Sequence, residues 1–133
     1  MRLTKNFTLD ELTHNRWATK EQQIKSDESL TDEIIANLTE LAENLQVLRD
    51  YLGSAVSISI AFRPKWWELL QGRSGNSQHA KGKAADIKVS GYSPEQIFDI
   101  ILKLINEGKM KQGGLSKYPT FVHYDIRGKK ARW

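Results

Sequence analysis

Apolar residues recur at helical spacing between residues 30 and 52, at Leu30, Ile34, Ile35, Leu38, Leu41, Ala42, Leu45, Leu48 and Leu52, and the pattern stops at Gly53. A stripe of that period predicts the main core helix, with the glycine as its C-terminal stop. It would also suit a dimer seam, but it is short for a coiled coil and a chain of this size needs it for a core. Val56 to Phe62 then alternates apolar with small residues, the period of a half-buried strand, and ends at Arg63-Pro64. Pro64 suits the first turn of a short helix through Trp66, Trp67, Leu69 and Leu70, which leaves Arg63 at the strand-to-helix corner. A second strand is predicted over Ala84 to Val89, with Ala84, Asp86 and Lys88 on one face and Ala85, Ile87 and Val89 on the other.

Helix starts are marked by caps. Thr8 with Glu11 forms a capping box for a short N-terminal helix, Phe7 stapling onto Leu12. Ser93, Pro94 and Gln96 open a helix whose buried stripe is Ile97, Ile100, Ile101, Leu104 and Ile105 and which ends at Gly108. Residues 109–118 predict a short edge strand around Gly113-Gly114-Leu115. In the final strand, Phe121 to Ile126, one face carries Phe121, His123 and Asp125 and the other Val122, Tyr124 and Ile126. Residues 19–29 are polar without a period and predict a loop, and residues 71–77 predict a Gly/Ser/Asn loop at a cleft rim. The sum is an α+β chain, helices packed on a small antiparallel sheet, with one domain over residues 1–133 and no internal repeat or linker.

Composition narrows the chemistry. The 133 residues contain no cysteine, so thiolate zinc clusters, disulfides and cysteine nucleophiles are excluded and any metal must be held by His, Asp or Glu. Twenty Lys and Arg against sixteen Asp and Glu give a net charge of +4, with the excess concentrated in Lys103 to Lys111 and Arg127 to Arg132. Such a surface suits an anionic cell-wall polymer or is simply a solvated face. No aromatic residues alternate with the Lys and Arg as a single-strand groove would require, so no nucleic-acid partner is expected. No apolar run reaches bilayer length, and Met1 to Phe7 lead into no signal-like stretch. The expectation is therefore cytoplasmic synthesis and no membrane partner.

Two segments carry the chemistry. In Ser77-Gln78-His79-Ala80-Lys81-Gly82-Lys83-Ala84-Ala85-Asp86-Ile87 a His and an Asp stand seven positions apart with small residues between, and Phe121-Val122-His123-Tyr124-Asp125-Ile126 brings a second His on a strand. Two imidazoles and one carboxylate leave a fourth tetrahedral position open, the ligand set of a catalytic zinc site. The plainer reading is a buried His–Asp pair of structural use only. Arg63 at its corner is placed either to hold a substrate carboxylate through two parallel hydrogen bonds or to pair with a nearby Asp or Glu. His14, alone among polar residues, is a surface or capping group.

The first segment resembles the S-x-H-x-x-G-x-A-x-D signature of the zinc D-Ala-D-Ala carboxypeptidase and endolysin group, peptidase family M15. Phe121 to Gly128 is similar to the terminal F-V-H-x-D-x-R-G of its short phage-type branch, and Phe7 to Leu12 to that branch's opening. The resemblance implies a Hedgehog/DD-peptidase-like fold, zinc held by His79, Asp86 and His123, and a peptidoglycan stem peptide as substrate. It also implies substrate binding by Arg63, with Ser77 and Gln78 beside it. In this chemistry a carboxylate takes the proton of the zinc-bound water and passes it to the leaving amine. Many relatives place that carboxylate where this chain has Thr120. Asp125 is the nearest candidate for the base, with a zinc ligand and a group orienting His123 as its other readings. A noncatalytic wall-binding or phage structural module that keeps the fold is the alternative, motivated by Thr120. The sequence around Arg63, Ala61-Phe62-Arg63-Pro64, departs from the usual G-Y-R-S.

Overall fold

The computed structural model describes residues 1–133. Five helices, α1 (Leu9–Thr13), α2 (Lys20–Glu28), α3 (Asp32–Leu52), α4 (Lys65–Leu70) and α5 (Pro94–Asn106), pack against five strands, β1 (Val56–Ile60), β2 (Ala84–Val89), β3 (Gly114–Lys117), β4 (Val122–Asp125) and β5 (Ala131–Arg132). The sheet order is β1-β2-β4-β3-β5, antiparallel throughout except for the parallel β3–β5 pair. This is the mixed α+β architecture the hydrophobic pattern predicts.

The long stripe forms α3. Thr31 caps its first turn by accepting from Ile34 N, and Gly53 closes it in the left-handed region at φ 62°. Leu38, Leu41, Leu45 and Leu48 are fully buried in a core cluster of 22 residues, each contributing roughly 1.5–3 kcal/mol by removal from water. The same cluster takes the Ala85, Ile87 and Val89 face of β2 and the Val122, Tyr124 and Ile126 side of the last strand region. Hence Asp86, His123 and Asp125 lie on the opposite face of the sheet. The capping boxes at Thr8 and Ser93 form as expected, with Pro94 at the start of α5.

Three expectations are corrected. Residues 20–28 are helical, not a loop: Thr19 and Gln22 make a capping box, and Gln23 ties the helix down by accepting from Asn15 N at 2.8 Å and donating to Thr13 O at 3.1 Å. The helix buries only Ser26, so no apolar period could announce it. Strand β3 is not an edge, because the two-residue β5 pairs outside it, held further by Arg132 Nη1 donating to Gly113 O at 2.7 Å. Pro64 is the N-cap of α4 with extended backbone, so the helix starts one residue later.

Candidate metal centre

Register brings two of the site residues together. Strands β2 and β4 pair so that Asp86 lies opposite His123 and Ala84 opposite Asp125. The third arrives from a turn: after β1 the chain runs on through Ala61 to Arg63, whose N–H donates to His79 O at 3.2 Å, and His79 Nδ1 lies 2.7 Å from Ala61 O. Gly82 lets this turn form. Its φ is +75°, and an added Cβ would sit 3.0 Å from Ile34 O of α3, so only glycine allows the approach.

The ligating atoms of His79, Asp86 and His123 all lie within 4.8 Å of one another. His79 Nε2 stands 3.4 Å and His123 Nδ1 3.1 Å from the same oxygen, Asp86 Oδ1. Tetrahedral zinc with bonds of about 2.0–2.1 Å separates its ligand atoms by about 3.3 Å. Behind each imidazole stands an acceptor for the other nitrogen: Ala61 O for His79, and Asp125 Oδ2 at 2.7 Å from His123 Nε2. With the ring protons placed there, both inward nitrogens present lone pairs to a carboxylate oxygen. Three acceptors facing one point call for a cation between them, and backing each histidine with an acceptor is how metal sites hold their imidazoles. The residues fit zinc.

Without a metal, the same groups hold one another through hydrogen bonds and charge. Burial by itself would raise the Asp86 carboxyl, but hydrogen bonds and charge from His123 and His79 outweigh it and hold the group well below the usual carboxylate range. For Asp125 burial again acts upward and is outweighed by His123, by Arg127 and by backbone N–H groups of Gly114 and Arg127. Burial would lower His123, yet Asp125 and Asp86 together raise it.

Asp125 lies behind His123 and is fully buried. Oδ1 accepts from Gly114 N at 2.8 Å, Arg127 N at 3.2 Å and Arg127 Nε at 2.9 Å; Oδ2 takes Arg127 Nη2 at 2.7 Å besides His123. On the outer side Trp133 tilts against the His123 ring at 4.9 Å between centroids and donates from Nε1 to Tyr118 Oη at 2.7 Å. Neither Trp133 nor Arg127 as a partner of Asp125 was legible as part of the site.

A cleft of about 490 Å³ reaches the site at Asp86 and is lined also by Arg63, Thr120, Phe121 and Trp67. A larger depression, about 660 Å³ beside Asp10, His14 and Asp27, includes none of the three ligands, and geometry ranks above size here. Of its two sequence readings, Arg63 takes the ion pair, with Glu68 as the carboxylate. It lines the cleft, while its Nε stands 3.2 Å from Glu68 Oε1 without the alignment of a hydrogen bond. Burial lowers the Arg63 guanidinium, opposed by Glu68 and Asp86. Glu68, completely buried, is a residue the pattern did not single out: it also accepts from Arg73 Nη1 and from Ser77 Oγ, both at 2.8 Å. Ser77 thus turns to Glu68, and neither it nor Gln78 is among the residues that line the cleft.

The histidine–aspartate–histidine cluster on this face of the sheet, with Asp86 on a cleft, could hold a metal ion and suits the class of metal-dependent hydrolases. A family model described as Peptidase M15 matches residues 5–125, which include all three candidate ligands and Asp125, and the chain belongs to that family. No curated protein matches the chain. Membership of a peptidase family implies a peptide substrate and suggests a zinc enzyme. No helix is long and apolar enough to cross a membrane.

Proposed function

We propose that the protein is a zinc peptidase that hydrolyses peptide bonds in the stem peptides of bacterial peptidoglycan, as a D-Ala-D-Ala carboxypeptidase or endopeptidase of the endolysin kind. The observation that carries the reading is the convergence of His79 Nε2, His123 Nδ1 and Asp86 Oδ1 with both outward ring nitrogens already engaged. Zinc bound there would supply a nucleophilic water near neutral pH and polarise the scissile carbonyl. The chain's own contributions are positional. Asp125 and Ala61 O hold the two rings with their lone pairs inward, and Arg63, propped by Glu68, offers its guanidinium to a substrate carboxylate.

In this reading Asp125 orients His123 and does not act as the base, because its oxygens are occupied and it has no face on the cleft. The basic surface and the likeness to the short phage-type branch support the endolysin setting. One observation favours the alternative of a noncatalytic wall-binding module: Thr120 lines the cleft and Asp86 is the one carboxylate among its lining residues. Metal content by elemental analysis, with amine release from purified peptidoglycan in the presence and absence of chelator, separates the two. One equivalent of zinc with chelator-sensitive release is expected. Zinc and wall binding without release would leave only the binding module, and a metal-free protein would remove both.

A further inference from the structure

The cleft is strongly cationic for its size. Arg16, Arg63, Arg73 and Lys88 all line it, against the single carboxylate of Asp86. Glu68 answers this charge from below, but it is one buried carboxylate shared between Arg63 and Arg73. Asp86 in turn faces two imidazoles, and a divalent ion at their meeting point would consume its charge. Arg16, Arg73 and Lys88 are exposed at the rim, and Arg16 and Lys88 appear in no ion pair; Arg16 lies over the Trp17 ring at 4.5 Å. Between the cations the lining is mixed, the apolar Trp17, Ile60, Trp67 and Phe121 alternating with uncharged polar side chains such as Thr120 and Gln71.

One substrate carboxylate on Arg63 leaves two rim cations, Arg16 and Lys88, unanswered, while Arg73 is paired with Glu68. We infer that Arg16 and Lys88 select peptides carrying at least one further free carboxylate, so that stem peptides with unamidated glutamate and diaminopimelate residues are preferred over their amidated forms. The inference rests on the peptidase reading above and specifies its substrate. The volume, about 490 Å³, is that of a small-molecule cleft and admits a short peptide. A nucleic-acid strand needs instead a basic groove that follows its backbone.

Two synthetic stem pentapeptides ending in D-Ala-D-Ala test this, identical except that one has both side-branch carboxylates free and the other has both amidated. Binding to the zinc-loaded protein is followed by the change in intrinsic tryptophan fluorescence, to which Trp17 and Trp67 of the cleft contribute, within seconds of mixing, and hydrolysis separately by amine release. The acid form is expected to bind about tenfold tighter, the effect of one charge-assisted contact. The preference should shrink with added salt and fall about threefold in each of Arg16→Gln and Lys88→Gln, both surface changes that spare the core. Equal affinity for the two peptides, with both hydrolysed, would overturn the selectivity and leave the peptidase standing. So would a preference unchanged in a variant carrying both Arg16→Gln and Lys88→Gln, or an oligonucleotide bound as tightly as the acid peptide. Absence of both binding and hydrolysis with either peptide would overturn the peptidase reading as well.

Discussion

Asp125→Asn separates the two roles open to that residue. The substitution keeps the shape and removes the charge. An asparagine oxygen at the Oδ1 position still accepts from Gly114 N, Arg127 N and Arg127 Nε. At the Oδ2 position an amide NH₂ then meets two donors, Arg127 Nη2 and the His123 Nε2 proton, each 2.7 Å from the present oxygen. The histidine can relieve this only by carrying its proton on Nδ1, where it points at Asp86 and occupies the lone pair a metal needs. Zinc affinity should fall about 10- to 100-fold, the usual effect of losing such a backing group. Losing the charged contacts of a fully buried carboxylate, with Arg127 itself 26% exposed, should cost about 2–4 kcal/mol of stability. Competition against a chromophoric chelator measures the affinity, and chemical denaturation the stability. A variant that binds zinc like the parent yet has lost turnover would refute the reasoning and return Asp125 to the role of base.

His79→Ala should abolish zinc retention and chelator-sensitive amine release together, read by elemental analysis; activity persisting in that variant would sink the assigned centre. Gly114→Ala would place a Cβ 2.1 Å from Asp125 Oδ2, so β3 must shift; a loss of about 3 kcal/mol or more, with weakened zinc binding, is expected in denaturant titrations. Glu68→Gln leaves Arg63 and Arg73 without their shared buried carboxylate, and should lower stability by about 3 kcal/mol and raise KM more than it lowers kcat. For the metal-free protein, Asp86 and Asp125 are depressed in the folded state, so their stabilisation is full above the unfolded carboxylate value of about 3.9 and is lost as pH falls further. His123 is raised, so its contribution is full below about 6.5 and is lost as pH rises through its folded value. Stability of the metal-free chain should therefore be highest and nearly level between about pH 4 and 6.5 and fall on either side; denaturant titrations in which it does not fall as pH rises above about 6.5 or drops below about 4 would contradict the arrangement.

Much of the site follows from alternation. A strand side chain can face only one of two ways, so the apolar runs of Ala85, Ile87 and Val89 and of Val122, Tyr124 and Ile126, once buried, commit Asp86, His123 and Asp125 to the other face. The helical stripe, the caps at Thr8, Thr31 and Ser93 and the stop at Gly53 are likewise local, set by side-chain period and by backbone groups within a few residues. Helix α2 and strand β5 had no such period, one being polar all round and the other two residues long. Their places depend on distant partners, Asn15 and Thr13 for the first and Gly113 and Gly114 for the second. The same holds for the roles within the site. Period assigns Asp125 to the site face, but only the β3–β4 pairing and the position of Arg127 turn its oxygens behind His123. Glu68 looks like an ordinary helix-surface residue in sequence and becomes the buried anchor of Arg63 and Arg73 through the folding of the 71–77 loop. A short repeat in the chain determines which face a residue occupies; which atom it touches there is decided by strand register, loop folding and packing, whether the partner is two residues away, as Arg127 is from Asp125, or in another element.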